Sequence, residues 1–264
     1  MSGTFRNSEV PRGFTRVVAL GASNLTRGFQ TVVSTARAAW GPDLEVLAAL
    51  GHGRSYGVRS NFLGRTLPGI LESGLWRQLE RLPPAATRGL VTDVGNDILY
   101  GFSASQTLAW VEDAADRLQR VTNDIILTDL PLASTRRLSP ARFLVFRSIL
   151  VPRCRLSLAQ VAETALQVNE GLAILAAARG LRFLHLKEHW YGIDPIHIRP
   201  SLWRCAWREI LDGGASDIVP GGDSWLEGLR LYFLPAERQR HFGLERFTPQ
   251  PGVALKAGGR VRLF

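Results

Sequence analysis

Short apolar runs alternate with longer amphipathic segments from residue 16 to residue 212, and this alternation constrains the fold more than any other feature. The runs are rich in Val, Ile and Leu, as buried parallel strands are, and each precedes a stretch with helical spacing of its apolar residues. We therefore predict strands at 16–20, 45–50, 89–94, 124–130 and 182–186. Helices are predicted at 26–40, 66–81, 104–121, 157–179 and 199–212. Ser103 and Ser157 are the predicted N-caps of the helices that follow them, and Gly180 is the predicted stop of the helix at 157–179.

This order of elements predicts an α/β fold, a three-layer α/β/α unit around a doubly wound, parallel, five-stranded sheet. We assign residues 1–213 to this unit and expect its last helix to end at Gly213 and Gly214. Residues 214–264 are rich in Gly and Pro and lack a further strand–helix–strand period. They are predicted to form a C-terminal appendage packed on the core rather than a second domain.

The composition indicates a globular protein with a strong positive charge. Hydrophobic residues make up 45% of the 264 residues, which excludes a disordered or fibrous chain. The 32 basic and 23 acidic residues give a formal net charge of +9, and only Lys187 and Lys256 are lysines. Such a charge would suit a nucleic-acid partner, but the arginines are spread along the whole chain. We therefore favour a general preference for arginine, and a nucleic-acid partner is not expected.

The chain is expected to be cytoplasmic. Residues 1–13 lack the apolar region of a secretory signal, and polar residues interrupt the most apolar helical stretch, so no transmembrane segment is predicted. Cys154 and Cys205 have no metal-ligand spacing and are too few for a disulfide framework, which predicts free thiols. The oligomeric state stays open.

A basic segment, residues 136–155, follows the fourth predicted strand and interleaves arginines with Phe, Ile and Leu. Ser139 and Pro140 are typical of a helix start, so we predict a short amphipathic helix here. One interpretation is that its apolar face packs on the body of the protein. The functional alternative is a lid that meets an acyl chain or an anionic substrate, and the segment is also a candidate for peripheral membrane contact.

Reactive side chains follow four of the predicted strands, at the sheet edge where ligands of open parallel sheets bind. Ser23 lies in a glycine-bounded turn after the first strand, and Gly53 lies in a glycine-rich loop after the second. Asn96 follows the third strand, where its amide could donate to an oxyanion. After the fifth strand, Asp194 precedes His197 by three residues, a spacing that lets a carboxylate orient an imidazole.

In these ordered blocks the chain resembles the SGNH hydrolases, the GDSL-type esterase and lipase superfamily. The resemblance covers about residues 16–212 and implies a flavodoxin-like fold. It also implies an enzyme that hydrolyses carboxylic esters without a metal or organic cofactor. By motif position it implies a catalytic Ser23, His197 and Asp194. It also implies an oxyanion hole formed by Ser23, Gly53 and Asn96, and a small-molecule or carbohydrate acyl ester as substrate.

The first block diverges from the family pattern. Ala22 stands where the family usually has Asp, and Gly28 comes one residue later than in the commonest form. In the second block, Gly51 and Gly57 are alternatives to Gly53 as the oxyanion glycine. Two alternatives to an esterase stay open, namely an acyltransferase that uses the same triad and a catalytically inactive binding protein on the same scaffold.

Four further residues are candidates for substrate binding. Arg54 and His52 flank the oxyanion glycine, and Trp190 and Tyr191 precede the block of Asp194. The structural alternatives are a surface salt bridge for Arg54 and a turn cap for His52, whereas Trp190 and Tyr191 would shape an acyl or sugar pocket. Trp203 and Trp207 after that block could shape the pocket too, but their helical spacing favours core packing. No metal site is predicted.

Overall fold

The computed structural model describes residues 14–136, 138–151, 154–212, 225–256 and 258–264. The predicted helix end at Gly213 and Gly214 lies outside these residues, as does the N-terminal segment 1–13. The strands of the described chain are β1 (Thr15–Leu20), β2 (Leu44–Ala49), β3 (Ser60–Phe62), β4 (Arg65–Leu67), β5 (Ala86–Val91), β6 (Ile125–Thr128), β7 (Arg182–Leu184), β8 (Arg238–His241), β9 (Leu244–Phe247), β10 (Val253–Ala254) and β11 (Arg260–Leu263).

The helices of the described chain surround these strands. They are α1 (Ser23–Arg27), α2 (Phe29–Trp40), α3 (Leu75–Arg81), α4 (Asn96–Leu99), α5 (Ala104–Gln119), α6 (Leu132–Thr135), α7 (Pro140–Leu150), α8 (Leu158–Arg179), α9 (Trp203–Asp212) and α10 (Trp225–Tyr232). Short 3₁₀ turns occur at Ile70–Glu72, Glu188–Trp190 and Pro200–Leu202.

The central sheet has the strand order β10-β11-β2-β1-β5-β6-β7. The five strands predicted from the sequence are β2, β1, β5, β6 and β7, and each pairs in parallel with its neighbour in this series. The predicted α/β fold with a parallel, doubly wound sheet is therefore confirmed. The order reverses between β1 and β5, so the carboxyl ends of these two strands flank the switch point at which ligands bind in such sheets.

The two faces of the sheet bury separate hydrophobic cores because successive residues of a buried strand point to opposite sides. On β1, Val17 and Ala19 belong to the core under α2 and α9, which contains Trp190 and Trp207. Val18 and Leu20 belong to the core under α3, α5 and α8. This division gives the three layers expected from the order of elements.

The C-terminal segment does more than pack on the core, since it also extends the sheet. Strand β11 pairs in parallel with β2, and β10 pairs antiparallel with β11, so the sheet has seven strands rather than the five predicted. The short sequence of β11, Arg-Val-Arg-Leu, gave no strand signal of its own. Strands β8 and β9 join β3 and β4 in a second, antiparallel sheet. The boundary at residue 213 stays a prediction.

The predicted helix at 66–81 is wrong in its first half. Residues 65–67 form β4, a 3₁₀ turn follows, and the helix α3 begins only at Leu75. Pro68 and Gly69 lie between these elements and interrupt a helix at that point. The predicted helix at 26–40 is divided into α1 and α2 at Gly28.

The helices at 104–121 and 157–179 are confirmed, and both have the predicted caps. Ser157 forms a capping box with Gln160, and Gly180 ends α8 in the left-handed conformation. The basic segment contains the predicted helix, α7, whose cap Ser139 accepts from the backbone N–H of Arg142. Within the described residues, no helix is long and apolar enough to span a membrane.

Candidate active site

Ser23, His197 and Asp194 form a continuous chain of hydrogen bonds at the carboxyl end of the sheet. The Ser23 Oγ lies 2.9 Å from His197 Nε2, and His197 Nδ1 lies 2.6 Å from Asp194 Oδ2. Asp194 Oδ1 also accepts from the backbone N–H of His197 at 3.3 Å, which holds the loop between them in a tight turn. Residues 174 positions apart in the chain are thus brought within hydrogen-bonding distance by the loops after β1 and β7.

Asn24 connects the serine turn to the histidine loop. Its amide nitrogen donates to the backbone carbonyl of Ile196 at 2.9 Å, and its amide oxygen accepts from the backbone N–H of Ile198 at 2.8 Å. These two hydrogen bonds hold the backbone of the residues on either side of His197. The spacing between Ser23 and His197 therefore depends on the side chain of Asn24. Asn24 is buried, with 9% of its surface exposed.

Asp93, which follows the neighbouring strand β5, supports the same turn. Its carboxylate accepts from the backbone N–H groups of Ala22 and Leu25, each at 3.0 Å, and from the side chain of Asn24 at 2.8 Å. Asp93 has a φ of 58°, a left-handed conformation that Asp tolerates better than most residues. The backbone of Ala22 is thus held by the carboxylate of Asp93.

The glycine loop after β2 is fixed by residues that follow β5. Gly53 has a φ of 63°, and its carbonyl accepts from the Tyr100 hydroxyl. The side chain of Asn96 donates to the carbonyl of Arg54 at 3.3 Å. Of the three candidate glycines, Gly53 alone has a positive φ, whereas a Cβ at Gly51 or Gly57 would meet a packed side chain.

Asp97 is the buried anchor of this arrangement. It is fully buried, accepts from the hydroxyl of Ser55, and accepts from the backbone N–H of Tyr56 at 2.9 Å. Burial raises the pKa of Asp97 to about 6, although its two hydrogen bonds oppose the shift. The block Gly95-Asn96-Asp97 therefore positions the second loop as well as offering an amide to the site.

The charges around the imidazole favour an ionised partner carboxylate. Burial alone would raise the pKa of Asp194, but the hydrogen bond and charge of His197 bring it below its ordinary value. Arg27 lies 3.7 Å from Asp194 Oδ2 and acts in the same direction.

Burial, together with the charges of His197, Arg27 and Arg65, lowers the pKa of His52 to about 4. His52 is therefore a neutral neighbour of the site and stacks on Phe62, with 5.5 Å between ring centroids.

A cavity of about 420 Å³ opens at Ser23. Asn96 and Asp93 line it on one side, and residues of α6, α7 and α8 line it on the other. Most of the lining side chains are apolar. The basic segment thus covers a cavity that reaches the nucleophile, which agrees with the lid interpretation of this segment; its contact with a membrane stays a prediction.

All four further substrate-binding candidates lie outside this cavity wall, since His52 beside the site does not line it either. Arg54 is fully buried, and its guanidinium donates to the backbone carbonyls of Leu50, Pro68 and Phe264, so its expected surface or ligand contact is replaced by a structural one. Trp190 is fully buried in the core under α2 and α9. Tyr191 is 6% exposed and lines a separate recess of about 50 Å³.

The sequence interpretation missed the residues that hold the reactive groups in place. Asn24, Asp93 and Asp97 have no motif role in the resemblance and were not singled out. A signal was present for each, because all three are polar residues within two positions of a reactive block, at strand ends that meet at one edge. Buried polar groups at such places require hydrogen-bond partners, and each of these residues finds its partners in a neighbouring loop at the same sheet edge.

Comparisons with known proteins found no matching family model and no matching curated protein. Solved structures similar to this chain include a lipolytic G-D-S-L family protein from Veillonella parvula, with 12% identity, a TM-score of 0.47 and coverage of 76% of this chain and 100% of that one. The esterase EstA from Pseudoalteromonas sp. has 11% identity, a TM-score of 0.43 and coverage of 74% and 93%. A structure of TesA has 15% identity, a TM-score of 0.43 and coverage of 74% and 95%.

These similarities concern the fold and extend over three quarters of the chain. Each identity is 15% or lower and each TM-score is below 0.5, so they support no statement about activity, substrate or site residues. The architecture rests on the strand order of the chain itself, which is that of a flavodoxin-like α/β sheet.

Proposed function

We propose that this protein is a serine hydrolase of carboxylic esters, with Ser23 as nucleophile, His197 as general base and acid, and Asp194 as its orienting carboxylate. The observation that carries the proposal is the chain of hydrogen bonds of 2.9 and 2.6 Å that links these three side chains. A serine hydroxyl is a weak nucleophile unless an adjacent base accepts its proton, and this arrangement supplies that base.

The reaction proceeds through an acyl-enzyme. Ser23 Oγ attacks the ester carbonyl carbon while His197 Nε2 takes its proton, and the resulting tetrahedral intermediate carries a negative oxygen. Its collapse breaks the bond to the alcohol oxygen, which leaves with the proton from His197. A water molecule, deprotonated by His197, then attacks the acyl-enzyme and releases the acid and free Ser23.

The oxyanion is stabilised by the backbone N–H groups of Ser23 and Gly53 and by the side-chain amide of Asn96. Gly53 is favoured over Gly51 and Gly57 because its loop is tied to Tyr100 and Asn96, close to the residues of the third block. One donor of this kind contributes about 3 kcal/mol to transition-state stabilisation, so removing Asn96 would slow turnover on the order of 100-fold.

Turnover of p-nitrophenyl butyrate by wild type and by Ser23→Ala tests the proposal. We expect kcat/KM to fall by at least ~10³-fold, since the residual rate comes only from binding and the oxyanion donors. Ser105→Ala, a surface serine in α5, is the matched control and should keep the wild-type rate. Equal activity in wild type and Ser23→Ala would contradict the serine mechanism.

The acyltransferase alternative shares every step up to the acyl-enzyme. It differs only in the acceptor, so adding a short alcohol to the same assay separates the two activities. If the protein is a hydrolase, the free acid stays the main product when alcohol is added.

A further inference from the structure

The cavity beside Ser23 differs from what an enzyme for acetyl groups would need. An acetyl group has a single methyl beyond the reacting carbonyl, whereas this cavity has a volume of about 420 Å³. A methylene group occupies roughly the ~30 Å³ of a water molecule, so the space suits a hydrocarbon chain on the order of ten carbons. Its volume lies within the ordinary range for ligand sites.

The wall of the cavity is mainly apolar, although Asp129, Thr135, Arg136 and Arg147 also line it, and it comes from several elements. Leu130 and Leu132 contribute from the segment after β6, Phe143 from α7, and Val161 and Ala165 from α8. A straight hydrocarbon gains free energy from such a wall with each methylene that leaves water. A sugar or another polar group would lose its hydrogen bonds to water wherever it met this apolar part of the wall.

Helix α7 encloses the cavity rather than joining the core. Phe143 is 7% exposed, yet it belongs to neither of the two hydrophobic cores. Leu144 and Val145, its neighbours on the helix, are 51% and 58% exposed. Arg147 fixes the helix by donating to the carbonyl of Leu156 at 2.8 Å. The buried position of Phe143 is therefore explained by its place on the cavity wall.

The lining of the cavity favours the acyl chain over the alcohol as its occupant, since Pro195 and Ile196 of the histidine loop line it but His197 does not. The leaving alcohol must reach His197 Nε2 to receive its proton, and the side chain of His197 is absent from the described wall of the cavity. Ser23 and Asn96, which contact the carbonyl carbon and its oxygen in the proposed reaction, both line it. The chain that extends from the carbonyl into the cavity is thus the acyl chain.

We propose that the substrate is an ester of a medium- to long-chain fatty acid, on the order of ten carbons, whose hydrocarbon tail lies in the cavity under α7. This inference rests on the proposed function for its chemistry. It deepens that function by assigning the acyl group and leaves the alcohol portion unassigned.

The experiment compares p-nitrophenyl acetate, butyrate, octanoate and decanoate in wild type, Ala165→Phe and Ala173→Phe. Both alanines are half-buried on α8, but only Ala165 lines the cavity. In wild type, kcat/KM should rise roughly threefold to fourfold per added methylene until the cavity is filled. Ala165→Phe should lower the ratio of decanoate to acetate kcat/KM by at least ~10-fold, because a phenyl ring displaces several methylenes. Ala173→Phe should behave as wild type on all four esters.

An acetate preference in wild type, or equal chain-length profiles in the two variants, would overturn the inference. Decyl acetate provides a second arm: if it outperforms methyl decanoate, the cavity holds the alcohol instead and the inference is wrong.

Binding to Ser23→Ala separates this inference from the proposed function. Titration calorimetry should show that Ser23→Ala binds decanoate but not acetate. Adding Ala165→Phe to this variant should weaken the binding of decanoate at least ~10-fold. Such binding supports the acyl cavity even if no ester is turned over, which would contradict only the proposed function. Hydrolysis of acetate that depends on Ser23, without decanoate binding, would contradict only the acyl cavity.

Discussion

At the scale of single residues, the site depends on buried and half-buried polar side chains that do not react. Asn24 and Asp93 together make five hydrogen bonds to the serine turn and the histidine loop, counting their mutual bond once. Such groups stabilise the structure only when all their partners are present, and they fix one arrangement of the loops. The geometry of the three reactive side chains is thus set by neighbours.

Replacing Asn24 by Ala should therefore lower kcat more than it changes KM. The variant leaves the carboxylate of Asp93 and the backbone N–H of Ile198 each without one partner, so we expect a loss of about 1–3 kcal/mol in the free energy of unfolding. A small displacement of His197 would slow turnover roughly 10- to 100-fold. Steady-state kinetics on a p-nitrophenyl ester, with urea denaturation alongside, measures both effects.

Asn61→Ala is the control for that variant, because Asn61 is exposed and bonds only to Thr66 among the described residues. If Asn24→Ala lost stability but kept the wild-type kcat, Asn24 would be structural and would not position His197.

Asp97 should make the stability of the protein depend on pH. Burial raises its pKa from 3.8 to about 6, so the folded protein binds a proton more tightly than the unfolded chain does. Stability contributed by this group is therefore greatest below pH 4 and decreases as the pH rises to 6, by up to ~3 kcal/mol. Asp97→Asn has no such titration. The difference in free energy of unfolding between wild type and variant, measured by denaturant titration from pH 4 to 7, should change by that amount.

A difference that stays constant across that pH range would show that Asp97 titrates normally.

Residues with reactive chemistry could be predicted from the sequence, whereas most of their supports could not. Ser23, Asn96, Asp194 and His197 follow strand ends, and the first and the last two are joined by hydrogen bonds while Asn96 lines the same cavity as Ser23. Their roles stay predictions. Arg54 was expected to meet ligand or solvent and is buried, because a charge pattern does not show which carbonyl groups the fold brings near it.

At the scale of secondary structure, close packing decides where the first helix is interrupted. Gly28 lies between α1 and α2, and a Cβ at this position would lie 2.2 Å from Trp207 Nε1 on α9. The glycine lets the indole ring of Trp207 approach the backbone, which joins the serine turn to the core under α2 and α9. The same contact explains why Trp207 is a packing residue rather than part of the pocket.

Gly28→Ala should reduce stability by about 1–3 kcal/mol, because the ring of Trp207 must move out of a filled core. Thermal or urea unfolding measures this loss. Since α1 carries Ser23, we expect a lower kcat as well. A variant as stable as wild type would mean that Trp207 has room to shift and that Gly28 is not required by this contact.

Elements with a clear period were predicted well, and those formed by long-range pairing were not. Helix α8 was predicted with its caps, since Ser157 and Gly180 act locally. Strands β3, β4, β8 and β9 each have three or four residues, and the β3–β4 hairpin joins the β8–β9 hairpin across more than 170 positions of sequence. Their own residues contain no pattern that identifies a partner so far away.

At the scale of the whole molecule, the C-terminal strand is joined to the sheet by buried charges. Glu45 on β2 accepts from Arg16 on β1 at 2.8 Å and forms an ion pair with Arg262 on β11. All three side chains are less than 10% exposed. This cluster connects three adjacent strands, so β11 is joined to the parallel sheet by side-chain ion pairs as well as by backbone hydrogen bonds.

Glu45→Gln should destabilise the protein by about 3–5 kcal/mol, since it leaves two buried guanidinium groups without a compensating charge. Glu80→Gln, an exposed glutamate on α3, is the matched control and should change stability by no more than about 0.5 kcal/mol. Equal midpoints in urea for the two variants would contradict the role assigned to the buried cluster.

The central claim is that Ser23 is an activated nucleophile, and covalent labelling by a fluorophosphonate tests it most directly. Intact-mass and peptide mapping should show one adduct per chain, located on Ser23. His197→Ala should react at least ~10³-fold more slowly, because it lacks the base that accepts the serine proton. An adduct on another residue, no adduct at all, or equal labelling rates in wild type and His197→Ala would contradict the account.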